Sequence, residues 1–245
     1  MFDKIIEINL REKTIFNSFK ISKMKKLTLT LLAAIVAASL WAQPLCPVKE
    51  GVSLTYVTKN DKGKPQAYSL QTVTSVQGSG DNLIVTYSSE AMDAKKKPLS
   101  KAPIISYTLR VENGAVVVDP KSLLNSVSTA SPSDGDAEGT PMVLPANMKA
   151  GDALADCEMK MQLAFIKVSA AYTNGICEGE EQITTDAGTF LCKKVKYDCK
   201  SSAMGIKTDM VIHSWYAPDI GIVKQDMYDK KGKLKTSQEL IEANI

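Results

Sequence analysis

The sequence has little of the chemistry that enzymes most often use. It contains one histidine, His213, so a catalytic triad or dyad built on imidazole would have to use that residue. His213 falls within an alternating strand pattern, and the chain has no Gly-x-Ser-x-Gly nucleophile elbow. We therefore expect a protein that is not an enzyme, and a hydrolase is the third hypothesis for its function.

Motifs for metals and phosphates are absent or incomplete. No Cys-x-x-Cys or Cys/His pairing occurs, which argues against structural zinc and a thioredoxin-type redox motif. Gly78-Ser79-Gly80 lacks the lysine of a phosphate loop. Asp134–Gly139 copies the first six positions of a calcium loop, but the twelfth is Pro145 instead of a bidentate glutamate. We expect no metal and no cofactor.

No apolar run is long enough to cross a bilayer. The longest, Leu27–Ala42, follows Lys25 and Lys26 and falls short of the roughly 18 to 20 residues that a span needs. This pattern is typical of a secretory signal peptide over residues 24–42. We expect residues 1–23 to be a mis-called extension and cleavage to follow Ala42. The mature protein would then be exported, without a membrane span, to the periplasm or cell surface of a Gram-negative bacterium.

Lipid attachment is an alternative, because Cys46 lies just behind the apolar run. Bulky Leu45 and rigid Pro44 precede it and fit a lipidation site poorly, so lipid anchoring at Cys46 is the less favoured reading. Residues 43–245 hold 23 basic and 24 acidic side chains. That balance gives no reason to expect a nucleic acid or an anionic membrane as partner.

The mature part alternates apolar and polar residues with the period of a strand. Val52, Leu54 and Tyr56 share one face, and the same pattern recurs to about Leu240. We predict an all-β fold, a curved antiparallel sheet of about 10 or 11 strands in a half-barrel, β-roll or sandwich. A single domain, 43–245, would comprise halves at about 51–120 and 142–241, joined by a flexible loop at 128–141. The one helix expected in it begins at Pro120.

The cysteines allow a disulfide. Five are present, so at least one stays unpaired, and Cys192 and Cys199 lie too far apart along one strand to be bridged. Cys157 and Cys177 would face each other if their strands fold back near Lys167. They are the disulfide candidate.

Methionines and other apolar residues gather in two strands, and flexible thioethers suit irregular apolar ligands. Ordinary core packing would explain the same pattern, and the sequence leaves both readings open. The candidate lining residues of an apolar site are Met159, Met161, Phe165, Met204, Ile206 and Met210.

The C-terminal half also carries a recognisable series of motifs. They are Gly151-Asp152, the segment 184–192 (TTDAGTFLC), the segment 215–224 (WYAPDIGIVK) and the segment 228–234 (YDKKGKL). This series resembles the TapB-like exported proteins, a group filed with domain of unknown function 3108 and its relatives in Bacteroides-type bacteria. The resemblance implies a curved antiparallel sheet around an apolar concavity, similar to envelope lipid and lipoprotein carriers, with no established activity.

Two functions therefore remain in view. The first is a non-enzymatic envelope protein that binds an apolar small molecule, a lipid or a lipid-linked partner. The second is an interaction module that pairs with another envelope protein through an exposed edge of its sheet.

Overall fold

The computed structural model describes residues 43–99, 104–122, 135–163 and 166–245. These residues form almost only strands, which confirms the predicted all-β class. Fourteen strands occur in the described ranges. They are β1 (Ser53–Asn60), β2 (Pro65–Ser79), β3 (Asn82–Met92), β4 (Ile105–Glu112), β5 (Ala115–Val118), β6 (Gly135–Thr140), β7 (Met142–Leu144), β8 (Ala153–Leu154), β9 (Cys157–Leu163), β10 (Ile166–Thr185), β11 (Gly188–Ala203), β12 (Ile206–Ala217), β13 (Gly221–Asp229) and β14 (Leu234–Asn244).

All these strands belong to one antiparallel sheet. Its order is β6-β9-β10-β11-β12-β13-β14-β1-β2-β3-β4-β5-β7, and the short β8 pairs with β10. The C-terminal strand β14 lies beside the N-terminal strand β1, so both halves of the sequence share a continuous set of hydrogen bonds. The strands outnumber the predicted 10 or 11 because three short ones, β6 to β8, carry no clear alternation.

The curvature of the sheet follows from its two outermost strands. β6 and β7 stand at opposite ends of the strand order, yet only Pro141 separates them in sequence. Consecutive Cα atoms lie about 3.8 Å apart, so the two edges must approach each other at this point. The sheet is therefore curled until it nearly closes, as the curved-sheet prediction requires.

Strand β6 differs from the sequence-based expectation. We predicted a flexible loop at 128–141, and residues 128–134 of it lie outside the described residues. Gly135–Thr140 instead pairs along β9, with Ala137 buried opposite Met161. Gly139 has φ +142°, and a side chain there would overlap the Glu158 carbonyl oxygen. The pairing with β9 therefore imposes an extended conformation that the polar sequence does not predict.

The predicted helix begins where expected. Residues 120–122 are helical, and the segment after Ser122 lies outside the described residues. Within the part of the chain that the structure describes, no helix has the length and apolar character needed to cross a membrane.

Residues 44–47 form an N-terminal plug at one end of the curled sheet. Leu45 and Cys46 are buried within the main apolar cluster. The backbone N–H of Asp219 donates to the Pro44 carbonyl at 2.9 Å, and the Tyr87 hydroxyl donates to the Pro47 carbonyl at 3.0 Å. These bonds satisfy backbone groups that burial would otherwise leave unpaired.

Three hairpin turns share one geometry. In each, the side-chain oxygen of the first residue accepts hydrogen bonds from the backbone N–H groups of the third and fifth residues, at 2.7–3.0 Å. The fourth residue has a positive φ of 58° to 75°. The turns are Asn60–Lys64, Asp93–Lys97 and Asp229–Lys233. The first and third turns have glycine at this fourth position, whereas the second has Lys96.

Removing one of these side-chain acceptors should destabilise the protein measurably. Asn60→Ala leaves two backbone N–H groups without their partner, and at roughly 0.5–1.5 kcal/mol per hydrogen bond we expect a loss of about 1–3 kcal/mol. Asn60→Asp keeps the acceptor, as the two other turns do, and is the matched control. Urea unfolding of both variants measures the difference. Equal stabilities would contradict this account of the turn.

Candidate functional site

The interior of the curled sheet contains a cavity of about 350 Å³. This volume lies in the range of small-molecule sites, roughly 300–1,000 Å³. Nearly every strand contributes to its wall, and the N-terminal plug contributes Leu45, Cys46 and Pro47. The cavity extends from the plug to Val118 and Met227. Val118 is the last residue of β5 and Met227 lies near the end of β13, so both are distant from the plug. The cavity therefore runs along the inside of the sheet.

Tyrosine is the most characteristic residue of the wall. Six of the eight tyrosines in the chain line the cavity. Their side chains offer apolar rings with one polar atom each, and the rings of Tyr87 and Tyr107 stack with centroids 5.1 Å apart. Strand alternation in the sequence could have identified this set, because each tyrosine occupies an inward position of its strand. The six are Tyr56, Tyr87, Tyr107, Tyr172, Tyr197 and Tyr216.

Burial changes the acid-base behaviour of the wall. Desolvation raises the pKa of Tyr216 to about 12, despite the hydrogen bond from Ser214 that lowers it. Desolvation also raises the pKa of Cys46 to about 12, against a smaller lowering by its hydrogen bond with Tyr87. These groups therefore stay neutral at ordinary pH, and the thiol of Cys46 is not activated as a nucleophile.

A row of polar side chains crosses one wall. Ser214, Gln225 and Gln238 lie opposite one another on β12, β13 and β14. The Gln225 amide donates to the Ser214 hydroxyl at 2.9 Å. The Gln238 side chain has no hydrogen-bond partner among the described residues, and neither does Gln71 on β2. Two amide groups in an apolar cavity thus keep donors and acceptors that a guest molecule can satisfy.

Charge is scarce in the wall. Glu158 is its one charged residue in the described ranges, and that carboxylate pairs with Lys160 at 2.9 Å. No lysine or arginine of those ranges lines the cavity. A buried anion would lack a counter-ion there, so the wall suits a neutral guest.

Glycine makes room for one wall residue. A Cβ atom at Gly175 of β10 would overlap the ring of Tyr197 and press on Leu154. Tyr197 can therefore lie across β10, where its hydroxyl donates to the Ala155 carbonyl at 3.4 Å.

Of the predicted apolar site residues that the structure describes, one lines the cavity and four do not. Met159 lines the cavity. Met161 pairs with Val168 and lies two residues after Met159 on β9. Met210 lies two residues before Ile212 on β12, and Ile212 is a wall residue of the cavity. Neither Met161 nor Met210 reaches the cavity, because β9 to β12 continue past its rim.

The prediction is corrected for the residues beside the β11–β12 turn. Met204 and Ile206 are each 72% exposed and lie outside the cavity wall. Their turn projects past the cavity rim, so inward alternation no longer implies burial there. Phe165, the remaining predicted residue, lies outside the described residues.

The predicted disulfide between Cys157 and Cys177 does not fit the strand register. Leu163 pairs with Ile166, so β9 and β10 fold back nearer the N-terminus than Lys167, and Cys157 faces Tyr172 instead. Cys177 lies five positions further along β10, roughly 16 Å away at 3.3 Å per residue. A disulfide needs Cα atoms within about 7 Å. All five cysteines have free, buried thiols in the structure.

The single histidine lies away from the cavity. His213 faces the outside of the sheet, where its Nδ1 atom is 3.2 Å from the Glu178 carboxylate. Its ring packs between Trp215 and Tyr228, with centroid distances of 6.3 and 5.7 Å. These contacts hold the histidine ring against its neighbours on the outer face of the sheet.

The raised pKa values predict a loss of stability in alkali. Burial raises the pKa of the Cys46 thiol from its ordinary value of 9.0 to about 12, so folding favours the protonated form. Stability from this group is complete below about pH 9 and declines as the pH rises toward 12. The buried tyrosines act in the same direction from their ordinary pKa of 10.0 upward, and burial raises the pKa of Tyr107 in this way.

Urea midpoints measured across that pH window test the effect. We expect the midpoint to fall with rising pH, and to fall less in Tyr107→Phe, which keeps the ring and removes one ionisable hydroxyl. A midpoint that stays level, or an equal decline in both proteins, would contradict it.

Two solved structures share this fold. One is a protein from Bacteroides fragilis, assigned as exported and with a YmcC-like fold; it is 21% identical, with a TM-score of 0.68 over 83% of this chain and 100% of its own. The other is a protein from Parabacteroides distasonis, assigned as a lipoprotein, also 21% identical with a TM-score of 0.68, over 83% of this chain and 99% of its own. No curated protein sequence matches the chain.

The family comparison covers the same part of the molecule. The model of the DUF3108-like family matches residues 49–240, from just behind the plug to the last buried residue of β14. This range includes all fourteen strands apart from the final residues of β14. The chain belongs to the DUF3108-like family.

Proposed function

We propose that this protein is an exported, non-enzymatic binding protein that holds one apolar molecule, such as a single lipid chain, inside its curled sheet. The observation that carries the proposal is the cavity of about 350 Å³, whose wall combines aliphatic and tyrosine side chains with unpartnered amides. Apolar clefts with a few placed polar groups are the usual form of small-molecule sites.

The wall also indicates the class of guest. The lack of a lysine or arginine among the described wall residues disfavours a buried carboxylate or phosphate. Gln71 on β2 pairs with Leu54 of β1, and Gln238 on β14 pairs with Thr58 of β1. The two glutamines therefore lie on either side of Tyr56. Their amides can bond a hydroxyl, ester or amide group. We therefore favour a neutral apolar guest with at least one such group.

Export is part of the same proposal. The apolar run that ends at Ala42 supports it, and the structural neighbours carry assignments as exported protein and lipoprotein. The burial of Cys46 in the plug is compatible with a thiol that serves packing.

Pairing with another envelope protein through a free sheet edge has less support. The two outermost strands, β6 and β7, meet at Pro141, and β7 has only three residues. At this seam, short strands beside proline offer little backbone for an added strand. A longer free edge is residues 180–185 of β10, which pair with β11 alone among the described strands.

Native mass spectrometry with organic extraction tests the proposal. The full chain is expressed in a bacterium and purified in the form that the cell produces. We expect a bound apolar molecule, which Leu109→Trp should largely displace because Leu109 lines the cavity. Thr108→Trp is the matched control, since strand alternation turns its side chain to the outside.

Thermal unfolding of both variants checks that the fold survives the larger side chain. Wild-type protein without a bound molecule, or equal retention by the two tryptophan variants, would overturn the proposal.

A further inference from the structure

The charged residues of this protein are sorted between the two ends of the curled sheet. Because strands alternate in direction, the turns after β1, β3, β11 and β13 lie at one end, opposite the plug. We call this the lysine-rich end. Its three similar turns carry eight exposed lysines and three aspartates. The lysines are Lys62, Lys64, Lys95, Lys96, Lys97, Lys230, Lys231 and Lys233.

The geometry of these turns separates the two signs of charge. The carboxylates of Asp93 and Asp229 accept backbone N–H groups, which hold the pKa of each below its ordinary value. Two lysines of these turns form ion pairs, Lys233 with Asp61 and Lys230 with Asp209. Lys62, Lys95 and Lys231 form no ion pair among the described residues. Their ammonium groups are free to meet a partner.

The end that holds the plug has the opposite character. Its connections carry mainly acidic residues. They include Glu50, Asp81, Asp152, Asp186 and Asp219, against Lys49 and Lys149. The near-neutral total of residues 43–245 therefore conceals a charge separation along the strands.

Exposed apolar side chains lie at the lysine-rich end as well. Met204 and Ile206 flank the β11–β12 turn and are each 72% exposed. Ile104, before β4 at the same end, is 62% exposed. The exposed lysines Lys167 and Lys207 lie beside the β11–β12 turn, since Met204 N–H donates to the Lys167 carbonyl. These lysines place positive charge beside the exposed apolar side chains of the turn.

We propose that the lysine-rich end docks on an anionic lipid bilayer. Lysines near such a surface each gain from its negative potential, and Met204 and Ile206 can insert into the boundary between headgroups and acyl chains. A nucleic acid would pair with the lysines but would leave these apolar side chains without a role. This docking does not depend on whether the cavity holds a guest.

Docking in this orientation also places the cavity toward the bilayer. The cavity wall reaches Val118 and Met227 near this end, and the plug closes the other.

Vesicle flotation tests the docking. The full-length gene product is purified as the cell produces it and is mixed with vesicles of phosphatidylcholine, with or without phosphatidylglycerol. We expect flotation only with the anionic vesicles. The double variant K62Q/K231Q should lose about tenfold or more in affinity, and K49Q/K149Q, with the same net charge but at the plug end, less than about twofold.

The apolar contribution has its own pair of variants. M204S/I206S should reduce flotation severalfold, whereas Leu191→Ser, at an exposed site elsewhere on β11, should not. Circular dichroism confirms that each variant is folded. Equal binding to neutral and anionic vesicles, equal losses in the two lysine variants, or no effect of M204S/I206S would overturn the proposal.

Discussion

The rest of this structure depends on one covalent link, the single residue Pro141 between the two outermost strands. β6 hydrogen-bonds to β9 and β7 to β5, so the same short stretch of chain belongs to both edges of the sheet. A flat sheet of this many strands could not satisfy both pairings. Curling satisfies both, because it brings the two outermost strands together at Pro141.

The cavity and the surface charges both follow from this closure. In a curled sheet, the inward side chains of opposite strands face one another, and six tyrosines with their neighbours leave about 350 Å³ unfilled. The same alternation of strand direction sends successive turns to opposite ends. The lysines of three similar turns therefore meet at one end, and the plug with the acidic connections occupies the other.

Much of this fold could be read from the sequence, and the failures have physical causes. Period-two alternation located the strands, because each has one face in the interior. It could not reveal β6, whose partner β9 imposes the extended conformation on a polar segment. It also misplaced the β9–β10 turn, so Cys157 was expected opposite Cys177 when it faces Tyr172. Total charge hid the separation of lysines from acids, since only topology brings the three turns together.

Hydrogen exchange at β6 and β7 tests the central claim of a sheet closed through Pro141. The account predicts that the hydrogen-bonded amides of Gly135–Thr140 and Met142–Leu144 exchange slowly, on the timescale of those in β4 and β9. Exchange at the rate of an unstructured chain in these two strands, with protection retained elsewhere, would show that the sheet is open and would contradict the account.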